Sequence, residues 1–482
     1  MKEIVLFQNE KEVKFGKVLC FILPTYLTSL FNTLYTIIDG IFLSNYAGPT
    51  ALAAINIVYP LVNILYGIAL VFATGGSSLM AIAMGSGENK EFRSRNSRAE
   101  RGRISDIFLS RECASPGGLL FDRKWSNFLS NNKKAEQLFS VSFVLPLLIG
   151  GIFSALMLAN LSSVLCFLGA TARTMRDCKI YAFLWLVGFP AVIGKELFTY
   201  FIRVDGSPKW SLAVALSGGI GNIILDYILV GKKEMGILGA GLATILGLIL
   251  SLCTGWIYYF TQKQHIRFCF PVHLLSKGIH CMRNGASEFI NQLATAITTV
   301  VFNRTALELA GENGIAAVSI IMYLQFIFIG IYFGYSMGIS PLLSYAYGKV
   351  ERKILLKLEK YSHRFLMLAS PIIYGITFFG APFAVSVFVS QTETVYAMTV
   401  SGMRLYGLGF LFAGFNIFAA IRLMSYGRGH FSGIITFFRS FGLLLFFLIL
   451  LPKVWGITGV WLSVPAAEML TLIIVRFLKK NI

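Results

Sequence analysis

The segment Leu34-Tyr35-Thr36-Ile37-Ile38-Asp39-Gly40-Ile41-Phe42-Leu43 is an apolar run with a single carboxylate inside it. A carboxylate at bilayer depth costs on the order of a few kcal/mol, so it normally faces a polar cavity and has a partner or a task. Just beyond it, Ala47-Gly-Pro-Thr-Ala-Leu-Ala-Ala-Ile-Asn-Ile-Val58 aligns with Ala310-Gly-Glu-Asn-Gly-Ile-Ala-Ala-Val-Ser-Ile-Ile321. The offset of 263 residues still holds at Gly85 and Gly348. Later, Gly236-Ile-Leu-Gly aligns with Gly456-Ile-Thr-Gly at an offset of 220. Shared turn residues at matching places argue for a true internal repeat rather than chance likeness between apolar helices.

The 482 residues are 56% hydrophobic and 13% charged, where a soluble chain is about a quarter charged. The sequence therefore predicts an all-α polytopic membrane protein. Apolar runs of spanning length fall near 18–43, 55–84, 138–159, 180–202, 211–230, 237–260, 286–305, 315–345, 365–389, 399–421, 433–451 and 457–476, which makes twelve. With the repeat, this gives two six-helix lobes in the same orientation, the plan of a transporter built around a central cavity. The expected organisation is an N-lobe over 1–260, a cytoplasmic inter-lobe loop over 261–285 and a C-lobe over 286–482. Residues 1–17 lack the layout of a signal peptide, so the first helix is expected to stay attached.

The net charge of +19 suits either nucleic-acid binding or basic cytoplasmic loops. With both termini inside, 32 Lys and Arg fall on inside segments, seven on outside loops and three within helices. That asymmetry orients the chain in a cell membrane and accounts for most of the charge without nucleic acid. The seven cysteines form no CxxC pair, and Cys269-x3-His273-x6-His280-Cys281 fits no standard zinc spacing. No constellation of His, Ser or metal ligands falls at membrane depth, so the sequence does not read as an enzyme.

The offset drop from 263 to 220 places extra sequence in the first half. Residues 91–132 are polar and carry Arg93, Arg95, Arg98, Arg101 and Arg103. Removing them would join Lys90 to Lys133-Lys-Ala-Glu, which matches the chain after Gly348. The segment reads as a cytoplasmic-loop insertion without amphipathic period, open to anionic-lipid contact or to no role at all.

Besides Asp39, the acids in or beside apolar runs are Glu196, Asp226, Glu288 and Glu468. Asn222 and Asp226 stand four apart, which puts an amide and a carboxylate on one helix face. Gly218, Gly219 and Gly221 allow close approach by a neighbouring helix. Thr244 adds a hydroxyl one helix later. Carboxylates, an amide oxygen and a hydroxyl suit a small hard cation, and the same carboxylates could carry a proton instead. Lys195 and Glu196 point about 100° apart on a helix and are not expected to pair face to face. Glu288 is expected to reach the interface near a helix start, and Glu468 is a secondary candidate. Pro24 removes a backbone hydrogen bond from the Asp39 helix and is expected to bend it.

Asp39-Gly-Ile-Phe, Ala47-Gly-Pro, Gly221-Asn-Ile-Ile-Leu-Asp226, Gly236-Ile-Leu-Gly-Ala-Gly-Leu-Ala-Thr244 and Gly338-Ile-Ser-Pro341 together resemble the multidrug and toxic compound extrusion (MATE) family, in its MepA-like and DinF-like branches. The resemblance covers the chain except residues 91–132. It implies a V-shaped pair of lobes exporting drugs or organic cations against a Na⁺ or H⁺ gradient, with no further cofactor. It implies a coupling-cation site at Asp39, Asn222, Asp226 and Thr244, supported by the helix-1 bend at Pro24 and by Tyr35. Expected partners are small amphipathic or cationic substrates and membrane lipids, with the chain a monomer. Met322, Tyr323, Gln325 and Phe326 are candidates for an apolar, adaptable substrate wall. The repeat places Phe302 opposite Asp39, so coupling is expected in the first lobe. The alternatives are a lipid-linked oligosaccharide flippase of related fold, or a non-transporting variant disrupted by the insertion.

Overall fold

A computed structural model of the chain describes residues 13–42, 48–96, 122–261, 267–391 and 394–481. Within these, the side chains of 36–42, 48–50, 52–53, 87–96, 122–132 and 478–481 lie outside the description. The described residues are helical almost throughout and contain no strand, as lipid requires of a chain that must satisfy every backbone group internally. The first lobe runs through α1 (Phe15–Phe42), α2 (Gly48–Asn96), α3 (Asp122–Ala159), the short α4 (Leu161–Phe167), α5 (Met175–Val204), α6 (Pro208–Asp226) with a π-helical continuation (Tyr227–Lys232), and α7 (Gly236–Thr261). The second comprises α8 (Leu274–Gly348), α9 (Arg352–Ser386), α10 (Thr394–Gly407) and α11 (Phe410–Ser425). It ends with α12 (Gly429–Phe437), a π turn (Phe438–Gly442), α13 (Leu443–Trp455) and α14 (Ile457–Asn481).

Among the described residues, ten helical segments are long and apolar enough to cross a bilayer, and α10 with α11, bent by 48°, makes an eleventh. The twelfth comes from α8. Its backbone breaks at Gly311 (φ 61°, ψ −149°), a conformation open to glycine but strained for residues with a Cβ. Unbroken, α8 would hold Gly285 and Gly348 about 95 Å apart. Both instead pack on α2, against the carbonyls of Val71 and Ile82 respectively. The chain therefore doubles back at Gly311, giving the twelve spans and two lobes expected from the repeat.

The lobes meet through contacts that obey the 263-residue offset. A Cβ at Gly85 would lie 2.2 Å from the carbonyl oxygen of Tyr345, and one at Gly348 would lie 2.1 Å from that of Ile82. Gly85 maps onto Gly348 and Ile82 onto Tyr345, so the two contacts are copies related by a pseudo-two-fold axis. Likewise Gly75 packs on Gly285 while its repeat partner Gly338 packs on Ile22, the repeat partner of Gly285. Glycine at these positions lets backbones touch, as small residues do in membrane helix packing. Ser29 Oγ donating to the Gly330 carbonyl at 2.9 Å, and Asn284 Nδ2 donating to the Gly75 carbonyl at 3.2 Å, add polar links across the junction.

Some expectations change. Residues 274–285 are helical, not loop, because Gly278, Cys281 and Gly285 pack on Leu145, Ser142 and Val71. Pro24 lies inside α1, and the Thr28 hydroxyl donates to the Pro24 carbonyl at 2.9 Å. The 91–132 segment falls largely outside the described residues.

Candidate functional site

α6 packs antiparallel to α7 through glycines. Gly218 faces Ser251, and Gly247 faces Asn222. Extended by one turn, the same antiparallel register pairs position 226 with position 243. Asn222 is 3% exposed and Asp226 is fully buried. Neither amide atom of Asn222 has a hydrogen-bond partner among the described residues. Thr244 is half-buried, and its hydroxyl donates to the Ala240 carbonyl at 3.0 Å, leaving its lone pairs available. The helix between them leaves α geometry immediately after Asp226, where the π turn begins; such bulges often occur at functional positions. Helix α1 approaches this face where Phe31 fills the space over Gly219. Tyr35, one turn on, is half-buried and lies against Phe31. Asn222 thus meets α7 at Gly247, one turn beyond Thr244 on that helix, and Asp226 follows one turn later on α6. The side chain of Asp39 lies outside the described residues.

A second group of buried charges stands on α5. Lys195 and Glu196 pair at 2.6 Å with both side chains 8% exposed, against the expectation that neighbouring helix positions diverge. The long lysine stem bends the ammonium back onto its neighbour, so the angle between Cα–Cβ bonds does not decide the pairing.

The second lobe holds a cavity of about 210 Å³. Its lining combines apolar and aromatic residues, Phe302, Met322, Phe326, Phe333 and Phe410, with polar ones, Asn291, Thr295, Thr298, Thr299 and Ser440. Met322, Gln325 and Phe326 are among its lining residues, and Tyr406 donates its hydroxyl to Gln325. Tyr323 is not: it is 38% exposed and stacks on Phe388 outside the cavity.

Charges line this cavity as well. Arg439, on the π turn, donates its Nε to Glu468 at 2.7 Å. Asn416 holds the other Glu468 oxygen and the Glu468 carbonyl, each at 2.8 Å. Glu288 is 6% exposed and lines the cavity instead of reaching the interface. Its carboxylate makes no hydrogen bond or ion pair among the described residues. It lies within electrostatic reach of Arg439 on one side and of Glu196, across the lobe junction, on the other. The sequence marked Glu468 as a secondary candidate and Glu288 as an acid beside an apolar run, but not their meeting with Arg439, which lies on another span. The readable signal was an arginine and a glutamate, Arg439 and Glu468, each alone inside neighbouring apolar spans.

Twelve spans in two repeated lobes, meeting along a symmetric junction with buried charge on both sides, define a membrane transporter architecture. The chain matches the MatE family model over residues 24–99, 129–228 and 288–450 and belongs to that family of transporters. The match leaves out 100–128, which lie inside the 91–132 segment. The chain is 22% identical to the multidrug export protein MepA of Staphylococcus saprophyticus, over 97% of this chain and 94% of that one. It is also 22% identical to MepA of Staphylococcus aureus, over 98% and 94%. An outward-facing structure of a multidrug resistance MATE family transporter of the MOP superfamily matches with a TM-score of 0.83 at 19% identity, covering 100% of this chain and 98% of that one.

Proposed function

We propose that the protein exports small amphipathic or cationic molecules across the cell membrane in exchange for Na⁺ or H⁺, as a monomer with both termini cytoplasmic. The ion occupies Asp39, Asn222, Asp226 and Thr244. The observation that carries this reading is the pair of buried polar groups on one face of α6, with Asn222 lacking any hydrogen-bond partner among the described residues. An unpaired buried amide loses on the order of 1–3 kcal/mol, and a cation in the site would recover it. Phe31, two turns before Asp39 in sequence, packs on Gly219, two turns before Asp226, which supports Asp39 as the fourth member.

The basic end of the molecule, near Lys349, Arg352 and Lys353, is where α2 and the end of α8 touch backbone to backbone. In this orientation the structure is closed to the cytoplasm. Ion binding at the first lobe bends α1 at Pro24, and the lobes rock about their symmetric junction to open the cytoplasmic end. Inverting a two-state equilibrium from 1:99 to 99:1 takes about 5.5 kcal/mol of differential binding. An ion that pairs with the site carboxylates more favourably in one state supplies energy of that order. The substrate occupies the cavity lined by Met322, Gln325 and Phe326, whose aromatic and thioether surfaces adapt to varied shapes.

The test is dye efflux from proteoliposomes under separately imposed Na⁺ and H⁺ gradients. Efflux should follow one gradient in the wild type and vanish in Asp39→Asn and Asp226→Asn while both variants still insert and fold. Gradient-driven efflux at the wild-type rate in either variant would overturn the site.

A further inference from the structure

The end of α5 carries an arginine that the export cycle described above does not use. Arg203 reads from sequence as part of a cytoplasmic loop, yet it is 3% exposed. Its Nη1 donates to the Met337 carbonyl across the lobe junction at a long 3.4 Å, and its guanidinium lies 5.0 Å from the centre of the Tyr200 ring. Its Nε is buried with no acceptor among the described residues. No carboxylate stands at ion-pair distance from it among those residues, and the nearer of the two acids on its own helix, Glu196, is held by Lys195. A buried charge without a counter-charge costs several kcal/mol even after relaxation.

Beside Arg203 is a cavity of about 10 Å³, room for one particle near the size of a water molecule. No carboxylate lines it. Three of its hydroxyls have spent their protons: Thr74 donates to the Leu70 carbonyl and Ser77 to that of Thr74. Ser340 is 2.7 Å from Ser425, whose own proton goes to the Ile421 carbonyl, so Ser340 is the donor of that pair. Ser78 and Tyr200 also line the cavity, and their hydroxyls make no hydrogen bond among the described residues. The groups left over are a guanidinium edge and two hydroxyl donors, which is the complement of an anion. A water molecule would satisfy the donors but leave the charge unbalanced.

We propose that this cavity binds one small monovalent anion of halide size, chloride being the prototype, through Arg203, Ser78 and Tyr200. Its walls come from both lobes: α2 and α5 on one side, the end of α8 and Met424 of α11 on the other. The site is complete only while the lobes are closed at this end, so the anion favours the closed state and acts as a latch on it. This goes beyond the export reading and stands apart from it, because the binding is measured without transport.

The test is binding of radiolabelled chloride to the purified full-length chain in gluconate buffer at constant ionic strength, with thermal unfolding recorded in parallel. The wild type should bind one saturable chloride per chain and gain thermal stability as chloride replaces gluconate. Arg203→Gln should lose both. Ser78→Ala, a small change that leaves the fold intact if Arg203→Gln does not, should weaken binding roughly tenfold. Absence of saturable chloride binding in the folded wild type means the cavity holds water only and overturns the proposal, as does unchanged affinity in Ser78→Ala.

Discussion

In the first lobe the buried charges stand on α5 and α6, where Lys195 pairs with Glu196 and Asp226 sits opposite α7. In the second they stand on the first arm of α8, on the π turn after α12 and on α14, where Arg439 and Asn416 hold Glu468 and Glu288 faces a cavity. The backbone contacts of the lobes are copies, yet the charged positions are not. A repeat preserves helix packing because glycine-to-backbone contacts tolerate no side chain at the interface. It does not preserve chemistry, because a cavity can draw a carboxylate from any helix that borders it. Symmetry in this molecule governs how the lobes meet, and divergence governs which polar groups each lobe buries.

Removing one member of a buried pair is the strongest way to break the comparison. Glu468→Gln and Glu196→Gln should each destabilise the protein by about 3–5 kcal/mol by stranding Arg439 or Lys195, read as unfolding in detergent. Joint replacement of Arg439 and Glu468 by Met should recover most of that stability. If the recovered protein still exports, the second-lobe pair holds the cavity open without touching substrate; if it does not, the pair belongs to the substrate site.

The symmetric junction comes next. Gly85→Leu and Gly348→Leu each drive a side chain into a carbonyl oxygen, and overpacking of this kind costs about 1–3 kcal/mol. Each should lower export at least about tenfold, and by similar factors if the pseudo-two-fold contact closes the basic end in the cycle. A large effect from one and none from the other would break the symmetry. Glu288→Gln should cost little stability, since its carboxylate has no ion pair to lose among the described residues. It should lower export of a monocationic dye by roughly tenfold, the scale of one charge-assisted contact, and leave an uncharged dye unaffected. Equal export of both dyes would remove Glu288 from substrate recognition. The smallest effect is expected at Arg304 and Glu308, paired at 3.0 Å but with side chains 80% and 63% exposed. Arg304→Ala should shift stability by less than about 0.5 kcal/mol.

The fold was largely legible before any coordinates. Spanning lengths, the repeat at Gly48 and Gly311, and the distribution of basic residues rest on local properties: apolar length, turn chemistry and charge counts. Asn222 and Asp226 were legible for the same reason, since their spacing of four is a property of one helix. The chain could not by itself decide which distant groups would meet. Arg439 and Glu468 lie on different spans, Lys195 reaches Glu196 through its flexible stem, Tyr323 turns away from the cavity its neighbours line, and Arg203 leaves its expected loop for a pocket between lobes. Each of these depends on helix rotation and on the doubling back of α8, which are set by packing between segments far apart in sequence. Composition, periodicity and turn residues thus determined that the chain is a two-lobed membrane protein. Only the tertiary structure decided which buried charges are paired and which face a cavity, because pairing is a matter of distance between helices and no single helix encodes it.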